Sequence, residues 1–301
     1  MKNNFLIIKI FLILNILLIT SSISYEQFNF DVTEVEIKED GNRFLGKKRG
    51  TATTNDGLLI KADEFDYDKI QNILKIKGDI EFEDSKEKFK IFSDQGIYFK
   101  QQEKIFTEGN SKAIDEDGNV ITAHKFEYDK KLNIIAAKGN IEFESFKEKF
   151  KIFSDQGTFF KQQEKVFTEG NSKAIDEDGV VITAHKFEYD KNLNIITAKG
   201  NVKIIDVKKD YVIFAKKIKY FRNEEKIITE GKTKAIIESK YIFNSRNILF
   251  LKNKMQLSSS NYSTVQNDND TFYELEKFKY YINDEVLKGE NVDVITNYSK
   301  Y

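Results

Sequence analysis

The stretch ITAHKFEYDKKLNIIAAKGNIEFE, Ile121 to Glu144, decides the fold by its spacing. Over the twelve residues Asn133–Glu144 the odd positions are Asn133, Ile135, Ala137, Gly139, Ile141 and Phe143. The even ones are Ile134, Ala136, Lys138, Asn140, Glu142 and Glu144, so that beyond the first pair apolar and polar residues come in turn. Successive side chains of a strand leave the pleat on opposite sides, so this alternation describes a strand with one buried face. Twelve residues at ~3.3 Å each make a strand of about 40 Å, long for a flat sheet. Gly139 falls mid-strand on the inward face, where it allows a bend around a corner and leaves space beside it. Upstream, Ile121 and Ala123 are in one phase and Phe126 and Tyr128 in the other, which predicts a bulge near His124-Lys125. Asp129–Asn133 between the two strands reads as a hairpin turn. Asp115-Glu116-Asp117-Gly118 reads as another, because Asp-Gly supplies the positive φ that such turns require.

The pattern recurs. Ala62–Thr122, Ala123–Thr183 and Ala184–Asn244 align without a gap at a spacing of 61 residues, the mark of a repeat architecture. KEKFKIFSDQG begins at Lys86 and again at Lys147, and FTEGNSKAIDEDG begins at Phe106 and again at Phe167. The third copy keeps ITEGKTKAI from Ile228. Each unit is itself two halves, since glycines fall at Gly78, Gly109, Gly139, Gly170, Gly200 and Gly231 in steps of 30 or 31. No proline interrupts the ladders. The expected fold is all-β: an elongated open β-jelly-roll of two facing antiparallel sheets, built from ~30-residue hairpin modules and growing along one axis. The repeat domain is assigned to 25–250, a polar loop to 251–271, and a strand-like C-terminal extension to 272–301.

The first twenty-four residues stand apart. Lys2 precedes the apolar run Ile10–Ile19, and Ser22-Ile23-Ser24 places small residues before a cleavage site at Tyr25, the pattern of a secretory signal. With Lys9 at its edge, the run is short for a membrane span, so an exported chain is expected. There is no cysteine in the sequence, hence no disulfide and no thiolate metal site. A net charge of −1 argues against a nucleic-acid partner, which needs a basic face.

Residues able to do chemistry do not assemble into a set. His124 and His185, the two histidines, occupy one repeat position, where the first unit has Asp63 and the half-units have Asp94, Asp155 and Lys216. A site that accepts all three types is a polar position beside a bulge. Asp115–Gly118 and Asp176–Gly179 suggest calcium, but they lack the spaced ligands of a calcium loop and turn chemistry explains them. No serine or lysine lies in a nucleophile motif. The expectation is no enzyme, no metal and no cofactor.

The inward positions are the informative ones: Ile80, Phe82, Ile121, Ala123, Phe126, Ile135, Ala137, Ile141, Phe143, Ile182, Phe187, Ile196, Ala198 and Val202. Either they fill a solid core with no ligand, or the sheets stay splayed and the slot accepts acyl chains, each buried methylene contributing ~0.8 kcal/mol. Unpaired strands at the ends of the stack are able to accept the edge of another sheet.

The motifs AKGNIEF (Ala137–Phe143), TEGNSKAIDEDG (Thr107–Gly118), ITAHKFEYDKKLNII (Ile121–Ile135) and ADEFDYDKIQNILKIKGDIEF (Ala62–Phe82) resemble the OstA-like β-jelly-roll family. That family comprises the periplasmic lipopolysaccharide bridge and the N-terminal domain of LPS-assembly protein LptD. FNFDVTEVEIKEDGNRFLG (Phe28–Gly46) is similar to the start of LptD-type members, and the resemblance spans Phe28 to Phe250. It implies a periplasmic, outer-membrane-associated role in lipopolysaccharide transport, with acyl chains held between the sheets. It also implies docking to neighbouring jelly-rolls by edge-strand addition and contact with the outer-membrane assembly machinery. Two departures stand out. About fifty residues follow Phe250 where outer-membrane members continue into a large barrel, and the cysteines that often tie this domain to the barrel are missing. The expectation is a free jelly-roll, or an LptD-type chain cut before its barrel.

Overall fold

The computed structural model describes residues 28–296. The secretory signal expected over 1–24 lies outside them. Rows of strands follow one another in a meander, each row antiparallel to the next, and a row is either one long strand or two short ones end to end. They begin with β1 (Asn29–Lys38), β2 (Arg43–Thr53), β3 (Leu58–Ala62), β4 (Glu64–Asp68), β5 (Ile73–Asp84), β6 (Phe89–Phe99), β7 (Lys104–Ile114) and β8 (Val120–Asp129). The array continues through β9 (Ile134–Ser145), β10 (Phe150–Phe160), β11 (Lys165–Asp176), β12 (Val181–Asp190), β13 (Ile195–Asp206), β14 (Tyr211–Phe221) and β15 (Lys226–Ile237). It closes with the shorter β16 (Tyr241–Arg246), β17 (Leu249–Leu251), β18 (Gln256–Ser259), β19 (Ser263–Gln266), β20 (Phe272–Leu275), β21 (Lys277–Tyr281), β22 (Val286–Glu290) and β23 (Asp293–Ile295).

The two facing layers are halves of the same strands. Every pairing from β5 to β15 breaks register once near its middle, as between Thr122 and Lys125 where β8 meets β9. The bulge expected at His124-Lys125 is therefore present. In β5, β7, β9, β11 and β13 the corner is a Gly-Asn or Gly-Asp pair with both φ positive, Gly139 at +82° and Asn140 at +51°. Two such residues turn the chain without changing its phase, so Ile135, Ala137, Ile141 and Phe143 all stay inside. In the even-numbered strands one extra residue flips the phase, carrying burial from Ile121 and Ala123 to Phe126 and Tyr128. One continuous sheet is thus folded back on itself. Layer one holds segments such as Ile80–Asp84 and Phe89–Ser93, and layer two holds Ile73–Lys77 and Gly96–Phe99.

The space expected beside the corner glycine is filled at Gly78, Gly109, Gly139, Gly170 and Gly200, while Gly231 meets nothing within 4 Å. A Cβ added to Gly139 would stand 3.1 Å from His124 Cβ, and one at Gly109 would stand 2.7 Å from an Asp94 carboxylate oxygen. The corner residue of the neighbouring strand lies over the glycine, so the glycine serves the bend and opens no cavity. A second departure concerns 251–271, expected to be a polar loop. It contains β18 and β19, because Leu257 and Val265 are wholly buried and the pairing passes from β16 and β17 onto them. Small hydroxyls satisfy their own corner there, with Ser263 and Ser245 Oγ atoms 2.7 Å apart. The extension from 272 carries β20–β23.

Candidate ligand-binding interior and its seam

Between the layers runs one apolar core, from Phe28 to Ile282. All fourteen inward residues expected from the sequence belong to it, each at most 8 % exposed. Contacts across it are close. Phe82 and Ile80 of layer one lie against the position of Gly96 in layer two, and Ile141 lies against Gly157. Phe89 and Tyr128 rings meet at 4.6 Å, and Phe150 and Tyr189 at 4.7 Å. The void bounded by Phe89, Ile121, Ile135, Phe143 and Phe159 measures only about 10 Å³. The interior is filled in this closed form.

A much larger concavity, about 1080 Å³, follows layer two from β2 to β13. Phe126, Ala137 and Phe187 are the three expected residues that border it. Their side chains are buried and face inward, and no layer-one residue takes part. The trough therefore lies on the outer surface of layer two, floored by half-exposed Ile97, Phe106, Ala136, Thr158 and Phe167. Its edge near the corners is charged, with Lys125–Glu108 at 2.7 Å and Lys186–Glu169 at 2.8 Å. His124 and His185 stand at that edge, more than half exposed, 3.6 and 3.7 Å from the same two glutamates.

Opposite the corners, the free ends of the folded strands meet along a seam. The turns of layer two place a cation there at Lys100, Lys130, Lys161, Lys191, Arg222 and Lys252, spaced 30 or 31 residues apart. Two kinds alternate. Lys130, Lys191 and Lys252 bind acids of layer-one turns: Asp56 at 2.5 Å, Asp115 at 3.0 Å and Asp176 at 3.2 Å. Lys100, Lys161 and Arg222 lie over Phe28, Phe89 and Phe150, at 4.5, 4.1 and 4.3 Å from the ring centres. Lys161 donates to the Glu87 carbonyl and Arg222 to the Glu148 carbonyl, both at 2.5 Å.

Electrostatics set Lys191 and Lys252 apart from Lys161. Burial works against the Lys191 charge, but Glu164 and Asp115 outweigh it and raise the ammonium pKa. Lys252 is raised in the same way, by Tyr220 and Asp176 against burial. Burial wins at Lys161 and lowers it, only partly countered by Glu87 and Asp84. Arg222 keeps two buried nitrogens, Nε and Nη1, without a hydrogen-bond partner. Among the described residues, the hydrogen bonds that cross this seam each use at least one side chain, as from Asn194 Nδ2 to Glu148 at 2.5 Å. No backbone ladder closes it.

Sequence reading missed the seam. A lysine after an Asp or Phe at a turn reads as a solvated residue, and its partners lie 74 to 76 residues away. The signal available was the cation retained at every half-unit, including Arg222 in the diverged third copy.

No helix among the described residues is long and apolar enough to cross a membrane. No family model matches the chain, and no curated protein matches it. Among solved structures, the chain is similar to LptH, the LptA homologous periplasmic component of the conserved lipopolysaccharide transport device from Pseudomonas aeruginosa. The identity is 15 %, over 50 % of this chain and 94 % of that one, with a TM-score of 0.27.

Proposed function

We propose that this chain is a non-catalytic, exported carrier module that holds the acyl chains of an amphiphilic lipid between its two layers, in lipopolysaccharide transport and outer-membrane assembly. One observation carries the reading: an apolar interior runs the length of the array, and every hydrogen bond across its long seam, among the described residues, has a side chain as at least one partner. Parting the layers there breaks no backbone ladder, whereas the corner side of the interior, opposite the seam, is continuous sheet. The fourteen inward residues are the proposed lipid contacts. The outer edge of β1, whose Val35 and Ile37 are exposed, suits pairing with a neighbouring jelly-roll, and the periplasm is the compartment that fits the expected secretory signal.

The filled core favours one other reading, a structural β-repeat protein with no ligand. Photocrosslinking amino acids at Ile135 or Phe143 decide between them. Capture of lipopolysaccharide at these positions is the expected result. Capture only from outward Glu142, or none, supports the structural reading.

A further inference from the structure

The cations of the seam are more than a closure. A structural latch needs each buried charge neutralised, because an uncompensated one costs several kcal/mol. Lys130, Lys191 and Lys252 meet that requirement with carboxylates. Lys161 and Arg222 do not. Arg222 leaves Nε and Nη1 buried and unpaired, and the nearest carboxylate oxygen to Lys161 Nζ is 3.9 Å away, on Glu87. Both are parked over a phenylalanine ring and on a single main-chain carbonyl. They stand at the mouth of the apolar interior, four strands or about 19 Å apart along the stack.

We propose that Lys161 and Arg222 are head-group anchors: when the seam parts, they bind the phosphate or similar oxyanion of an amphiphile whose chains enter the interior. This rests on the carrier reading above and assigns its ligand class as an anionic amphiphile. Guanidinium and ammonium groups bind such oxyanions through charge-assisted hydrogen bonds, and Arg222 has two unused donors to give. The rings beneath hold the cations in place until then, since a cation over an aromatic face is attracted without its donors being consumed.

The test compares dodecyl phosphate with dodecyl maltoside on the purified protein by calorimetry. The unmodified protein is expected to prefer the phosphate by about tenfold. Lys161→Met with Arg222→Gln should erase that preference and leave maltoside binding unchanged, whereas Lys161→Arg should keep it. If the double variant does not fold, each single variant must cut the preference. Glu87 and Asn133 touch across the seam. Cysteines at both positions, joined by a bismaleimide in a chain with no other cysteine, should block uptake of either probe. Equal binding of the two probes by the unmodified protein, or a preference that survives the double variant, overturns the anchor assignment alone. Binding that persists in the locked protein places the ligand in the outer trough and overturns it too. No binding of either probe brings down the carrier reading and this inference together.

Discussion

At the residue scale, two features govern stability, the corner and the seam. Gly139 and Gly231 share a φ of +82°, but only Gly139 faces a neighbour, His124 Cβ. Gly139→Ala is expected to cost about 1–3 kcal/mol, from strain and contact together, and Gly231→Ala less. Urea unfolding of the two variants measures the contact by difference. At the seam, Lys191→Met takes the cation from Asp115 and Glu164 and should cost about 3 kcal/mol near neutral pH. The folded-state pKa of Lys191 is raised above its ordinary 10.5. Its contribution is therefore complete below pH 10.5 and fades as pH climbs through the raised value. The gap between the variant and the unmodified protein should narrow in that alkaline range, read by denaturant titration at successive pH values. Lys161 has the opposite sign. With its folded pKa lowered, the cost of its buried charge is relieved as pH rises from the lowered value toward 10.5.

At the scale of elements, hairpins, turns and inward residues were legible because each is a short-range property. Period-two alternation placed Ile135 and Phe143 inside, and the phase change between Ala123 and Phe126 located a bulge. What alternation does not encode is the partner of a turn. It also left Ser259 and Ser263 looking like loop, although their hydroxyls complete a corner beside buried Leu257 and Val265. The seam further explains why the unit is 61 residues rather than 30, since acid-bound and ring-bound cations alternate from one half-unit to the next. Deleting Ala123–Thr183 keeps that alternation and should give a folded protein. Deleting only Lys130–Phe160 sets Lys161 opposite the Asp56 turn in place of Glu87 and Phe89. The smaller deletion is expected to be the less stable of the two, judged by thermal unfolding followed by circular dichroism.

At the scale of the molecule, the described chain is a rod of bent strands. Counting β3 with β4, and each later short pair from β16 to β23, as single rows gives eighteen rows. At ~4.8 Å each they span roughly 85 Å. Small-angle scattering should return a maximum dimension near that value, shortened by about 19 Å when one four-strand unit is removed. A compact particle would contradict the stack. The filled interior and the rod together mean that a carrier role depends on parting the layers, which the locked and unlocked forms of the protein compare directly.

The seam also sets an order in time. Neighbouring strands pair across one short turn, but Lys161 reaches back 74 residues to Glu87, and Lys191 and Lys252 reach back 76 to Asp115 and Asp176. Local pairings close quickly and distant ones slowly. As the chain emerges from its N-terminus, each layer-one turn waits five strands for the cation that will cover it. The growing end is therefore an open trough with its apolar lining facing water, and closure follows behind it like a zip. A chaperone that shields aliphatic surface during export would find its substrate in that trailing stretch of about 75 residues and nowhere else along the array.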